Sequence, residues 1–305
     1  WQGVGSKDGK NSFLMTSSDD FLHLWEIDEP STEESWELTE VMSIRFTPME
    51  TFGYGVTVCR ITGKGLDIPG GWSSSRASPG GDGGVGYGGE RNPDNLVFVF
   101  DASYCPSSGL LGAALSDGSV RLMNGRGVCV SILTLPGCQS HMTSFSWDSS
   151  GTRLASCVAT GHLILWEIDL AGYSYRGSVT PACMAVLEGG HQVGRPLFGA
   201  QYCGGKEEEL LVSWGIDGRL CLWDSRSQGN IGAPLNTLVA KNDDYPIYAI
   251  DMFHGGNNND NNNNKEVSRM AVGGGREGGF LGIPLYLYDI TTKMTTTAST
   301  TRTTK

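Results

Sequence analysis

Apolar residues along this chain come in runs of five to seven, each closed by Gly, Asp, Asn, Ser or Pro, and no stretch carries the three-to-four-residue spacing of an amphipathic helix. Strands are therefore expected wherever such a run lies between turns. The pattern predicts pairs at Ser12 to Ser17 and Leu22 to Ile27, then Val41 to Phe46 and Gly55 to Ile61. A longer series follows: Leu96 to Asp101, Leu110 to Leu115, Val120 to Met123 and Val128 to Leu133; then Met142 to Trp147, Arg153 to Val158 and His162 to Ile168. The last runs are Pro196 to Gln201, Leu210 to Trp214 and Arg219 to Trp223, then Ile247 to Met252, Met270 to Gly273 and Pro284 to Ile290. Turn pairs such as Asp117-Gly118 and Asp217-Gly218 lie in four-residue gaps between neighbouring runs, short enough for antiparallel hairpins. An all-β chain of short antiparallel sheets is the expectation.

The stretch from His191 to Arg226 is the most regular of these units. Gly190-His191 stands before it and Trp223-Asp224 closes it, and this arrangement resembles a blade of the WD40 β-propeller family. The resemblance implies a four-stranded antiparallel sheet per blade, and a hydrogen-bonded chain through His191, Ser213, Asp217 and Trp223 that ties the preceding loop to the strands. A second unit offers His141, Ser156 and Trp166 at similar offsets, with Thr160 where the acidic residue is expected. In the unit before it Met123 replaces the tryptophan and Ala113 the serine, so packing alone is expected to hold that blade. Six blade-like units are counted, part of a seven-bladed ring, spanning residues 1–290, with the chain beginning inside a blade whose first strand is missing. Residues 291–305 read as a Thr-rich tail.

Composition refines this. Glycine reaches 44 of 305 residues, and residues 62–95 are dominated by Gly, Ser, Pro and Asp, which reads as a flexible insertion between blades. Within it, residues 84–89 fit G-x-G-x-x-G, but no strand precedes and no helix follows, so a dinucleotide fingerprint is not supported. Asn-rich residues 255–266 read as a second loop insertion. The net charge of −11 repels a phosphate backbone and argues against nucleic-acid partners. An acidic cluster, Glu26, Asp28, Glu29, Glu33, Glu34, Glu37 and Glu40, reads as a solvated loop beside the first strand pair, with docking of a basic partner as the other reading. Without a run of about 18 apolar residues or a secretory leader, the protein is expected in the cytoplasm or nucleus, away from membranes.

Chemistry is sparse. Eight cysteines lie at irregular intervals with no C-x-x-C pair, which favours reduced core thiols over zinc or disulfides. The histidines form no metal-binding pattern, no G-x-S-x-G elbow is present, and the inward strands are apolar or neutral, so neither a catalytic site, a metal nor a cofactor is expected. A propeller enzyme or small-ligand binder is the least supported class. The expected function is non-catalytic protein recognition by a scaffold. One sharper lead is Trp223-Asp224-Ser225-Arg226, which resembles the W-D-x-R box of WD40 substrate receptors of cullin-4 RING ubiquitin ligases. That resemblance implies Trp223, Asp224 and Arg226 as protein-binding residues and the ligase's propeller adaptor as partner, with the Arg226 fork suited to bidentate contacts. A basic residue that merely caps the turn is the plainer alternative.

Overall fold

A computed structural model describes residues 2–5, 12–18, 20–28, 37–46, 57–60, 97–135, 140–171, 173, 177, 179–203, 210–225, 233–239, 246–255, 267–274 and 285–290. These residues fall into two compact units: 1–139 with 172–179, and 140–171 with 180–305. Each is built from antiparallel sheets whose strands follow chain order, as expected when only short turns join neighbours. The residues read as the Gly-rich insertion, the Asn-rich insertion, the Thr-rich tail and Arg226 lie outside the described set, apart from a few at the insertion edges.

In the first unit, β1 (Gln2–Gly5), β2 (Ser12–Ser18), β3 (Phe21–Asp28), β4 (Glu37–Phe46) and β5 (Thr57–Arg60) form one five-stranded sheet. This corrects the sequence reading in two ways. The first strand is not missing, because Gln2–Gly5 pairs with Phe13 and its neighbours. Nor do Val41 to Phe46 and Gly55 to Ile61 open a separate blade, because β4 pairs along the whole of β3 and β5 continues the same sheet. The apolar run misled because burial, not position in a blade, makes it apolar: Val41, Met42, Ile44 and Phe46 are buried against Phe13, Met15, Leu22 and Leu24. Of the acidic cluster, Glu26 and Asp28 lie in β3 and Glu37 and Glu40 in β4, so these four stand on strands rather than in a loop. Glu29, Glu33 and Glu34 lie outside the described residues.

The second sheet of this unit comprises β6 (Val99–Cys105), β7 (Leu110–Leu115), β8 (Val120–Met123) and β9 (Cys129–Leu133). Its two middle strands are buried along their full length, which explains their unbroken apolar runs.

The second unit holds three sheets. The first is β10 (Met142–Trp147), β11 (Arg153–Val158), β12 (Leu163–Asp169) and β13 (Thr180–Leu187); the next is β14 (Leu197–Tyr202), β15 (Leu210–Gly215), β16 (Arg219–Asp224) and β17 (Asn236–Val239). A three-stranded sheet follows: β18 (Ile247–Gly255), β19 (Val267–Gly274) and β20 (Leu285–Ile290). The outer strands β13 and β17 escaped the sequence reading because half-exposed outer strands carry no clean apolar alternation. First strands of successive sheets lie side by side, β10 against β14 and β14 against β18. Side chains stitch the first pair: Thr143 Oγ1 donates to the Leu197 carbonyl at 2.7 Å and the Tyr202 N–H donates to Ser146 Oγ at 3.2 Å. Four-stranded meanders set inner strand to inner strand are propeller blades, and the all-β propeller class follows from these pairings. The described residues form five sheets, one of five strands, three of four and one of three, where the sequence reading counted six blade-like units.

Candidate functional site

The best-built polar site is where the 188–196 loop meets the β14–β17 blade. Trp223 on β16 lies opposite Leu211, and Ser213 two residues further along β15 faces Cys221, so the indole reaches diagonally to the hydroxyl. Trp223 Nε1 donates to Ser213 Oγ at 2.8 Å, and the same oxygen lies 2.7 Å from His191 Nε2. On the other side of the ring, His191 Nδ1 is 3.1 Å from an Asp217 oxygen, and the Gln192 N–H donates to that oxygen at 2.9 Å. An ionised carboxylate only accepts, so Nδ1 carries the proton and, in a neutral ring, the Ser213 hydroxyl donates to Nε2. Ser213 and Cys221 are fully buried and Trp223 and Asp217 nearly so.

Burial would raise the Asp217 carboxyl, but the His191 ring and the N–H groups of Gln192 and Arg219 outweigh it and hold the group below the usual carboxylate range. Burial likewise pushes the neighbouring Cys221 thiol up to about 12, keeping it protonated and inert. Two glycines fit the loop to the blade. A Cβ on Gly190 would sit 2.6 Å from Trp223 Cζ2, so only glycine lets the indole pass under the backbone. Gly194, at φ +83°, turns the loop so that its N–H donates to the Thr160 carbonyl of the neighbouring blade at 2.8 Å.

Ser213, His191 and Asp217 stand in the order of a hydrolase triad, yet a substrate carbonyl cannot reach Ser213, which is buried and whose oxygen already takes the indole proton. The chain of bonds is a clamp between loop and strands, in which each buried polar group finds its partner.

Sister blades keep parts of this clamp. In the β10–β13 blade, Trp166 Nε1 donates to Ser156 Oγ at 2.8 Å. His141, however, is exposed, unlike buried His191. It immediately precedes β10, whereas His191 stands six residues ahead of β14, far enough for a loop to fold back over the sheet. Thr160, in the acidic position, bonds to His162 Nδ1 at 2.8 Å instead. In the five-stranded sheet Trp25 Nε1 donates to Thr16 Oγ1 at 2.8 Å.

The β6–β9 blade uses a different device, so packing alone does not hold it. Arg121 on β8 stands in the register position of Cys221, is fully buried, and donates through Nη2 to Asp117 Oδ2 at 2.5 Å. Ser119 Oγ donates to the other Asp117 oxygen at 2.6 Å, and the guanidinium lies 5.7 Å from the Phe46 ring centroid. Asp117, Ser119 and Arg121 alternate in sequence, a pattern visible beforehand once Ala113 and Met123 had signalled the lost serine and tryptophan.

Of the W-D-x-R box, Trp223 and Ser225 are buried, so Trp223 offers no surface to a partner; Asp224 is half-buried and Arg226 lies outside the described residues. Among the described residues, no three His, Cys, Asp or Glu side chains are placed to hold a metal ion, and no helix is long and apolar enough to cross a membrane.

No protein-family model and no curated protein matches the chain. Solved structures do resemble it. The RRP9 WD40 repeats share 17% identity over 56% of this chain and 47% of that one, with a TM-score of 0.39. U3-55K shares 15% over 62% and 51%, TM-score 0.40, and a chain of the mitotic checkpoint complex 12% over 91% and 59%, TM-score 0.48. The chain thus matches about half of the length of each of these proteins.

Proposed function

We propose that this chain is a non-catalytic scaffold for protein–protein interaction. The observation that carries the reading is the clamp itself. The residues best able to do chemistry, Ser213, His191 and Asp217, are buried and bonded to one another and to Trp223, so they hold a loop still instead of meeting a substrate. A stiff blade that presents pinned loops lowers the ordering cost of binding, which is what a docking platform needs. Partners are then other proteins, in the cytoplasm or nucleus.

The second reading is a substrate receptor of a cullin-4 ligase, a group to which WD repeat-containing protein 53 belongs, which the sequence resembles in its two regular blades and its last, signature-less one. Its support is the box sequence at the end of β16, where burial of Trp223 and Ser225 leaves half-buried Asp224 as the described residue of the box that a partner could reach.

Affinity purification of the full-length protein from cell extract, wild type beside Arg226→Ala, with mass spectrometry, tests both. Stoichiometric protein partners are expected. Recovery of the ligase adaptor by wild type and its loss in Arg226→Ala supports the receptor reading, and partners without any ligase component remove it. A chain that purifies without any stoichiometric partner defeats the scaffold reading too.

A further inference from the structure

The tip of the 188–196 loop combines rigidity with exposure in an unusual way. Gly190 is wedged against the indole, His191 and Gln192 are tied to Asp217, Arg219 Nη1 donates to the Gly190 carbonyl at 3.0 Å, and the Gly194 N–H is tied to Thr160. The Arg195 N–H closes the turn onto the Gln192 carbonyl at 3.1 Å, and the Pro196 carbonyl accepts from Ile216 at 3.0 Å. Between these fixed points Val193 is 76% exposed, the highest value among the described large apolar residues that are exposed. A valine in solvent on a loop this well fixed gains nothing for the fold.

Two residues on, Arg195 is also exposed. Among arginines whose side chains are described, Arg45 is the other exposed one, and its guanidinium is already held by Asp20 at 2.7 Å. Among the described residues the Arg195 guanidinium meets no hydrogen-bond or ion-pair partner. The acidic group nearest in sequence, Glu188, is directed to His162, 3.8 Å away. The net charge of −11 opposes anions on average, so a carboxylate would bind only where a local uncommitted fork offers bidentate bonds, and Arg195, two residues from exposed Val193, selects for a carboxylate flanked by an apolar group.

We propose that Val193 and Arg195 form a preorganised docking knob for an acidic, aliphatic peptide segment of a partner protein: the segment's carboxylate takes the Arg195 fork while its adjacent aliphatic side chain covers Val193. This rests on the scaffold reading and names a partner class for it. Because the loop is already immobile, binding orders little beyond the Arg195 side chain.

The test is selection of 12-residue peptides from a random display library on the full-length protein, followed by fluorescence-anisotropy titration of the selected peptides against wild type, Val193→Ser and Arg195→Glu. Among the described residues neither side chain is bonded, so both variants should melt with wild type, which separates binding from folding. Enriched peptides should carry Asp or Glu beside Leu, Ile or Val. Each variant should bind them at least about tenfold more weakly, the size of one charge-assisted hydrogen bond or one buried aliphatic contact. Enriched peptides that lack a carboxylate, or that bind both variants as tightly as wild type, overturn the proposal while leaving the scaffold reading standing. Failure to enrich any peptide overturns the proposal, and the purification experiment then decides the scaffold reading separately.

Discussion

Removing the Ser213 hydroxyl tests the clamp most directly. Its oxygen accepts the Trp223 indole proton at 2.8 Å and bonds His191 Nε2 at 2.7 Å in a site closed to water. Ser213→Ala removes one small group and strands two buried polar partners. Each unsatisfied group costs about 1–3 kcal/mol, so the loss is about 2–6 kcal/mol. Ser156→Ala in the neighbouring blade is the internal control, because Ser156 Oγ serves Trp166 where the corresponding histidine, His141, is exposed, and it should cost about 1–3 kcal/mol. For a unit of 150–250 residues, each kcal/mol lowers the melting temperature by about 2–4 °C. Near-ultraviolet circular dichroism follows the tryptophan environments, and scanning calorimetry gives the transition. Ser213→Ala should therefore melt several degrees below Ser156→Ala. Equal shifts, or a Ser213→Ala shift no larger than that of the exposed Ser149→Ala, would refute the claim that the two bonds act together.

Arg121→Ala should destabilise the β6–β9 blade by about 3–5 kcal/mol in urea titration, because it strands the Asp117 carboxylate, and an Arg121→Met, Asp117→Leu pair should recover most of that loss; a double variant as weak as the single one would count against the ion pair. Asp217 has a depressed folded-state value, so its stabilisation is complete above the usual carboxylate value near about 3.9 and lost as pH falls through the lower, folded value. The melting gap between wild type and Asp217→Asn should thus be constant from pH 7 to pH 5 and close towards pH 2, and a gap that ignores pH would exclude the carboxylate as its source. Iodoacetamide at pH 8 should label exposed Cys183 in the native protein and spare buried Cys157, Cys203 and Cys221, read by peptide mass; early labelling of Cys221 would contradict its raised value and burial.

Strands in the second unit were legible because their residues are apolar for a local reason: central blade strands are covered on both faces and turn residues punctuate them. Met142 to Trp147, Arg153 to Val158 and Arg219 to Trp223 carry that signal in the chain itself, and so do Gly190-His191, Ser213, Asp217 and Trp223 through their spacing. Which strand lies beside which is not a local property. VMSIRF reads alike as the first strand of a new blade and as the fourth strand of an old one, and only pairing with Phe21–Asp28 settles it. The same holds for chemistry. His141 and His191 look equivalent in sequence, yet loop length puts one in solvent and the other between Ser213 and Asp217. Arg121 looks like a surface residue by type, and register places it in the core opposite Ala113, where burial forces it onto Asp117. Periodicity and turn chemistry are written residue by residue, so the sequence determines the class of fold and the residue types of the clamp. Register, loop return and burial are long-range, so the tertiary structure alone decides which of those residues meet and what they can still reach.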